Sequence, residues 1–343
     1  MKLNTRFAVE QTMQLLSIDS PTGYTRNVTD YLLETLTNLG FEPVRNRKGS
    51  VCCALGGEGN PLALAAHVDT LGLMVSTIKA NGRLRFTKLG GPSLSAVETE
   101  NVSVITREGK RYTGVIAMEN ASVHVNRELE NTKRDEKNLE VLLDELVTSK
   151  EDVEALGIAV GDIICLHPRA HVTPSGFIRS RFLDDKLSAG MLLALAKAVA
   201  DKDITLSRKV TIFFSVYEEV GHGASTGLPE DTEDLLVVDM GCVGEGLTCT
   251  EAQVSICAKD SSGPYDYAMT SELIALAKEK KLDYAVDVYP AYGSDAGTAL
   301  RAGHDIRYAL IGAGVYASHG YERSHIKGVE NTLGLILAYV TNA

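Results

Sequence analysis

Across residues 25–40 the apolar positions Val28, Leu32, Leu36 and Leu39 recur at the spacing of a single helix face, and Gly40 stands where such a helix would end. The texture then shortens. Residues 50–55 and 61–68 are mostly apolar runs separated by Gly56-Gly57-Glu58-Gly59-Asn60, a pattern that predicts two buried strands joined by a turn. Between residues 73 and 173, strand-like runs at 84–87, 102–106, 111–116 and 162–166, with Gly90-Gly91-Pro92 as a turn, predict an inserted β-rich unit. Within it, residues 128–150 are strongly charged around a stripe of Leu139, Val141, Leu142 and Leu146, which predicts a solvated loop and one surface helix without chemistry. Alternation resumes after Ser180 with helix 186–200, strands 209–217 and 235–240, helix 265–280, strand 284–288 and a closing helix through 333–340. The simplest architecture is an α/β domain of residues 1–72 plus 174–343 interrupted by the β unit 73–173, because each α/β portion alone is small for an independent sheet.

Composition narrows the class. With 343 residues, 44% of them hydrophobic, the chain can bury a full core. A formal net charge of -11 leaves no broad basic surface for nucleic acid or anionic lipid. Cys52, Cys53, Cys165, Cys242, Cys249 and Cys257 form no CxxC pair, as expected of a protein in a reducing cytoplasm. Lys2 and Arg6 resemble the start of an export signal, but Glu10, Gln11, Thr12 and Gln14 break the apolar run that would have to follow. No stretch reaches the roughly eighteen apolar residues of a membrane span.

Three apolar runs end on acids or an imidazole: residues 62–66 lead into His67-Val68-Asp69, residues 210–216 into Glu218-Glu219, and residues 235–238 into Asp239. In an open α/β sheet the carboxyl ends of parallel strands share one edge, so these distant residues can converge there. Asp184-Asp185 supply two more acids. Singly, a histidine at a strand end is usually a satisfied core residue and an acid pair a solvated terminus or cap. Together, acids gathered at a buried edge repel one another unless a cation neutralises them. Imidazole and carboxylate are the donors zinc or cobalt takes in hydrolases. Strand alternation puts His67 and Asp69 on one face, where Asp69 can accept the second imidazole N–H. The same alternation would aim Glu218 and Glu219 in opposite directions, one at a metal and the other at the attacking water, provided the strand bends there.

The segments His67-Val68-Asp69-Thr70-Leu71-Gly72, Gly90-Gly91-Pro92, Phe182-Leu183-Asp184-Asp185-Lys186, Glu218-Glu219-Val220-Gly221-His222-Gly223-Ala224, Val238-Asp239-Met240-Gly241 and Gly293-Ser294-Asp295-Ala296-Gly297 resemble, in order and spacing, the tetrahedral-aminopeptidase family, metallopeptidase family 42. That family includes glutamyl and leucyl aminopeptidases and relatives once labelled endoglucanases. The resemblance implies a mixed sheet flanked by helices, as in di-zinc exopeptidases, with a small β-barrel-like insertion used for oligomerisation. It implies that Asp184 bridges two metals, that His67 and Asp239 complete one site, and that Glu219 and a late histidine complete the other. Glu218 becomes the general base, and a cis peptide falls between Asp184 and Asp185. The family's histidine, small residue, proline, glutamate run is altered here to Ser318-His319-Gly320-Tyr321-Glu322-Arg323-Ser324-His325. His325 is taken as the last ligand because a glutamate and a helix follow it, with His319 as the alternative. Asp295, His319 and Arg323 are candidate substrate contacts, Asp295 being equally a helix N-terminal acid. His124, His167, His171, His222 and His304 are assigned structural or surface positions.

The expected activity is release of the N-terminal residue from short peptides. Two divalent ions per chain, zinc foremost with cobalt or manganese as alternatives, would polarise the carbonyl and acidify a bridging water, whose proton Glu218 accepts and passes to the leaving amine. The resemblance further implies a homo-oligomer, from dimers toward a dodecamer. Rival readings are a di-metal deacylase or amidase acting on small N-acylated amino acids or dipeptides, and a metal-free carboxylate-pair glycosidase. A non-catalytic assembly protein would leave the gathered acids unexplained.

Overall fold

All six residues of strand Leu62–His67 are buried, as a strand covered on both faces requires. In this computed structural model, which describes residues 3–342 and so leaves Lys2 outside the described residues, that strand runs parallel between Val210–Ser215 and Asp234–Val238. Asp234–Val238 in turn lies parallel to Arg307–Tyr316. Antiparallel neighbours complete a mixed sheet: Val51–Gly56 beside Val210–Ser215, and Val254–Asp260 beside Arg307–Tyr316, with Tyr284–Val288 parallel to Val254–Asp260. Helices Thr5–Leu16, Leu183–Ala200 and Ile326–Thr341 pack on one another, and the latter two also on the sheet. Leu183–Ala200 is buried along nearly its whole length, which explains its lack of a polar face. A core cluster joins Ala63, Phe213, Leu235 and Leu310 of the sheet to Ala296 and Ala299 of helix Asp295–Arg301.

The residues up to Asp69 and from Arg169 onward form this α/β unit, and Thr70–Pro168 form a second one. The second unit is a closed six-stranded barrel, in the order Gly72–Ile78, Leu84–Leu89, Leu139–Leu143, Arg111–Met118, Asn101–Ile105 and Ile163–Leu166. Its limits fall slightly before those expected from sequence, for a pairing reason. Gly72 already pairs with Leu89 inside the barrel, whereas His171 pairs with Arg179 in the α/β sheet.

The charged stretch 128–150 differs from expectation. Leu139–Leu143 is a barrel strand paired with Arg111–Met118, with Leu139 and Val141 buried and Leu146 left in solvent. Its Glu140 is buried as an ion pair with Lys79 at 2.8 Å and with Arg83, so a charge that read as a solvated surface is neutralised in the barrel wall. The surface helix of this region is only Lys150–Ala155, started by a Ser149 capping box.

Strand Arg307–Tyr316, helix Thr5–Leu16 and strand Val254–Asp260 carried no assignment in the sequence reading. The first is the most consequential, because its end delivers the loop with His319. Its glycines obscured it: a Cβ at Gly312 would lie 1.7 Å from the Asp239 carbonyl oxygen, so the strand needs glycine where it passes the acidic turn. All six cysteines are free thiols. Among the described residues no helix is long and apolar enough to cross a membrane.

Candidate active site

The four parallel strands Val210–Ser215, Leu62–His67, Asp234–Val238 and Arg307–Tyr316 end on the same edge, with Ser215 opposite His67. Glu218, Asp239 and His319 follow within a few residues of three of those ends. The acids 218 and 219 do not continue the strand. Tyr217 adopts φ 67° and Gly221 φ 77°, enclosing a single 3-10 turn, Glu218–Val220. The turn replaces strand alternation as the device that separates the two carboxylates. Glu218 Oε2 lies 3.8 Å from His67 Nε2, and Glu219 Oε2 lies 3.7 Å from His319 Nε2.

Asp184 sits between the two imidazoles, its Oδ1 3.0 Å from His67 Nε2 and its Oδ2 3.5 Å from His319 Nε2. It and Asp185 have non-helical backbone angles at the start of Leu183–Ala200 and are joined by the cis peptide. Asp185 Oδ2 accepts the His67 backbone N–H at 3.2 Å. Asp239 follows its strand directly, and its Oδ1 accepts the Met240 N–H at 2.6 Å. Donor atoms of His67, Asp184 and Glu219 lie within 4.8 Å of one another, as do those of His67, Asp185 and Asp239.

Asp69 acts differently from the sequence expectation. His67 Nδ1 meets the Asp69 backbone carbonyl at 2.9 Å, whereas the Asp69 carboxylate is 3.7 Å away. A carbonyl only accepts, so Nδ1 carries the proton and Nε2 faces Asp184. The Asp69 carboxylate instead accepts from Thr22 Oγ1 at 2.7 Å and from the N–H groups of Glu218 and Glu219 at 3.1 and 3.4 Å. It fixes the turn that carries both glutamates.

The expectation for His325 is corrected. Its Nε2 meets the Ser175 carbonyl at 3.0 Å, its Nδ1 accepts the Lys327 N–H at 3.0 Å, and its ring packs edge-on against Phe177. Nδ1 caps helix Ile326–Thr341 and Nε2 is engaged by the Ser175 carbonyl, so His325 takes no part in the cluster. His319 occupies the place instead, at φ 62° in the left-handed region. Arg323 pairs with Glu251 at 3.0 Å and stacks 3.8 Å over the Phe177 ring. Asp295 is buried, accepting from Ser215 Oγ and from the Ala224 N–H at 2.6 Å. It braces the loop after Glu218-Glu219 rather than facing the cavity. Lys48 holds the same loop through the carbonyls of His222, at 2.7 Å, and Gly223.

Two organising residues escaped the sequence reading. Glu322 is buried and accepts the N–H groups of Asp184 and His319, each at 3.1 Å. Its one sequence signal is an acid three residues after a histidine. Tyr292 donates to the Met240 carbonyl at 3.2 Å beside Asp239.

Burial, followed by neighbouring charge, pushes the carboxyls of Asp185, Glu218, Glu219 and Glu322 well above the usual range and that of Asp239 up to about 7. Burial also raises Asp184, but the hydrogen bond from His67 and the two imidazole charges outweigh it and hold the carboxyl below its ordinary value. Burial alone would lower the His67 imidazole; the Asp184 hydrogen bond and surrounding acids lift it well above. Buried Asp185 Oδ1 and Glu219 Oε1 have no hydrogen-bond partner. Orphaned oxygens among crowded acids and imidazoles fit a divalent cation of the zinc class, since such a donor set would satisfy it and be neutralised by it. The cluster opens into a cavity of about 640 Å³.

The model of one protein family, described as M42 glutamyl aminopeptidase, matches residues 49–335. The chain is 43% identical over 339 residues to a Bacillus subtilis protein provisionally named aminopeptidase YhfE, covering 98% of each chain. It is 28% identical over 251 residues to the glutamyl aminopeptidase of Lactococcus lactis, covering 68% of this chain and 70% of that one. Its fold is similar to that of the Pyrococcus horikoshii TET1 peptidase, with a TM-score of 0.85, 21% identity, and coverage of 98% of this chain and 100% of that one. That peptidase is described as able to assemble into a tetrahedron or a large octahedral shell.

Proposed function

The chain belongs to the M42 glutamyl aminopeptidase family and is a peptidase, and from that premise we propose that it is a two-metal aminopeptidase releasing N-terminal residues from short peptides. The observation that carries the reading is the pair of donor groups sharing His67, with two buried carboxylate oxygens left unpartnered beside them. In the proposed assignment Asp184, His67 and Asp239 would hold one ion, and Asp184, Glu219 and His319 would hold the other. When bound, the pair supplies Lewis-acid polarisation of a peptide carbonyl and acidification of water. Zinc suits the donors best, with cobalt or manganese as substitutes.

The chain's own residues do the rest. Glu218, 3.8 Å from His67 Nε2 and lining the cavity, is the proton carrier: its carboxylate takes a proton from the attacking water and returns it to the departing amine. Asp69 contributes through the His67 tautomer and the Glu218-Glu219 turn rather than by contact with substrate. By likeness to the Pyrococcus horikoshii peptidase, a homo-oligomer is proposed for this chain as well.

The test compares unblocked and N-acetylated tripeptides before chelation, after it, and after zinc is restored. Metal-dependent cleavage of the unblocked peptide alone supports the proposal. Cleavage of the acetylated peptide alone would replace it with a deacylase, and cleavage that survives complete metal removal would end the metal reading.

A further inference from the structure

Among the described residues, the cavity beside the acidic cluster has one permanently charged cation in its wall. Arg301, in the last turn of helix Asp295–Arg301, lines it together with Ser261, Ser294 and Thr298, while Asp184, Glu218, Glu219 and Asp239 line it elsewhere. A cation in the last turn of a helix ordinarily complements the helix dipole, and Arg301 is solvent-exposed. This one is turned back along the helix: its Nη2 donates to Thr298 Oγ1 at 3.1 Å and its Nη1 to Ser262 Oγ at 3.2 Å. That is the direction in which long helical side chains lean, and it brings the guanidinium over the turn that faces the cavity. Gly297 keeps the path clear. A Cβ there would lie 3.0 Å from Ser262 Oγ and 3.4 Å from Arg301 Nη1.

Both partners of Arg301 are neutral hydroxyls. Among the described residues it is paired with no carboxylate, although the surrounding chain is acidic overall. A planar guanidinium with donors to spare is the group best matched to a carboxylate, which it can hold through two parallel hydrogen bonds. Asp295, at the other end of the same helix, braces the loop of the proposed base through the Ala224 N–H.

Resting on the aminopeptidase reading, we infer that Arg301 is the specificity-determining residue of this cavity and receives a carboxylate of the bound peptide. The carboxylate comes either from the side chain of an acidic N-terminal residue or from the free C-terminus of a dipeptide. Ser262 and Thr298 hold the guanidinium in place, and Gly297 makes the arrangement sterically available.

Two substrate series separate the sources. In the first, Glu-, Gln- and Lys-p-nitroanilide differ only in the N-terminal side chain; in the second, Ala-Ala and Ala-Ala-amide differ only in the terminal carboxylate. The readout is the ratio of kcat/KM within each series, which does not depend on the fraction of active enzyme. A side-chain source gives the wild type a preference for Glu over Gln of about 10–100-fold, the range expected for a charge-assisted hydrogen bond. That ratio collapses in Arg301→Gln, and Arg301→Glu turns the preference toward Lys. A C-terminal source gives the same collapse in the Ala-Ala to Ala-Ala-amide ratio. The inference is overturned if neither series shows a charge preference in the wild type, or if the preference persists in Arg301→Gln. Cleavage of the neutral substrates alone would leave the peptidase reading standing while removing Arg301 from it. No cleavage of any substrate by the zinc-loaded protein would overturn both.

Discussion

The backbone N–H of Asp184 donates to the buried carboxylate of Glu322 at 3.1 Å, across 138 residues of sequence. The other oxygen of that carboxylate accepts the N–H of His319. One side chain thereby sets the spacing between the proposed bridging aspartate and the proposed last ligand. An amide in its place would present one acceptor and one donor, and the donor would face an N–H. Glu322→Gln is therefore expected to fold but to bind zinc about 10–100-fold more weakly. Competition with a calibrated chelator measures this, and unchanged affinity would show that the loop is positioned by something else.

His319 and His325 make opposite predictions. His319→Ala is expected to lose one metal equivalent and nearly all activity, because its Nε2 points at Asp184 and Glu219. His325→Ala is expected to keep both equivalents and to lose only about 1 kcal/mol of stability, the ordinary value of a helix N-cap. Metal analysis and thermal melts of the two variants distinguish these roles.

Glu218→Gln removes the proton acceptor while keeping the side chain's size. Metal content is expected to stay near the wild-type level while kcat falls by about 10²–10⁴-fold. A variant with near-normal turnover would exclude Glu218 as the base.

The crowded acids also predict how the metal-free protein responds to pH. Asp239 is pushed up to about 7 from an ordinary 3.8, burial being the first cause and the charge of Asp184 the second. A carboxyl with a raised folded-state value holds more protons folded than unfolded, so stability falls as pH rises across that interval. Asp185, Glu218, Glu219 and His67 are raised as well and act in the same direction. Asp184 is lowered and acts oppositely, but its contribution is lost only on acidification below the ordinary aspartate range. The melting temperature of metal-stripped protein is thus expected to fall between about pH 5 and pH 7, and added zinc should stabilise it more at the upper end. A zinc effect independent of pH would contradict the cluster's electrostatics.

Much of the sheet was legible because its strands are apolar runs that stop on chemistry: residues 62–66 before His67, and 235–238 before Asp239. The insertion was legible from its short strands and turns. What sequence concealed is what depends on contact. Leu139–Leu143 looked solvated because Glu140 is charged, and only the facing Lys79 and Arg83 show how it is neutralised. Arg307–Tyr316 has no assignment from sequence, and its Gly312 is needed where the strand passes the Asp239 carbonyl. His325 was favoured over His319 from the residues that follow it. In the fold His319 follows the strand that ends at Tyr316 and lies beside Asp184 and Glu219, whereas His325 Nδ1 caps the last helix and its Nε2 meets the Ser175 carbonyl. The acids of the cluster could be named from sequence, but the Glu322 carboxylate that sets their spacing could not, since its role is a pair of backbone hydrogen bonds.

The most direct test of the central claim is a calorimetric titration of zinc into the metal-stripped protein, run on the wild type and on Asp184→Asn. The proposed centre predicts two equivalents per chain in the wild type and the loss of tight binding for both when the shared aspartate is changed. One equivalent or none in the wild type, or two that survive Asp184→Asn, would contradict a metal pair built on Asp184.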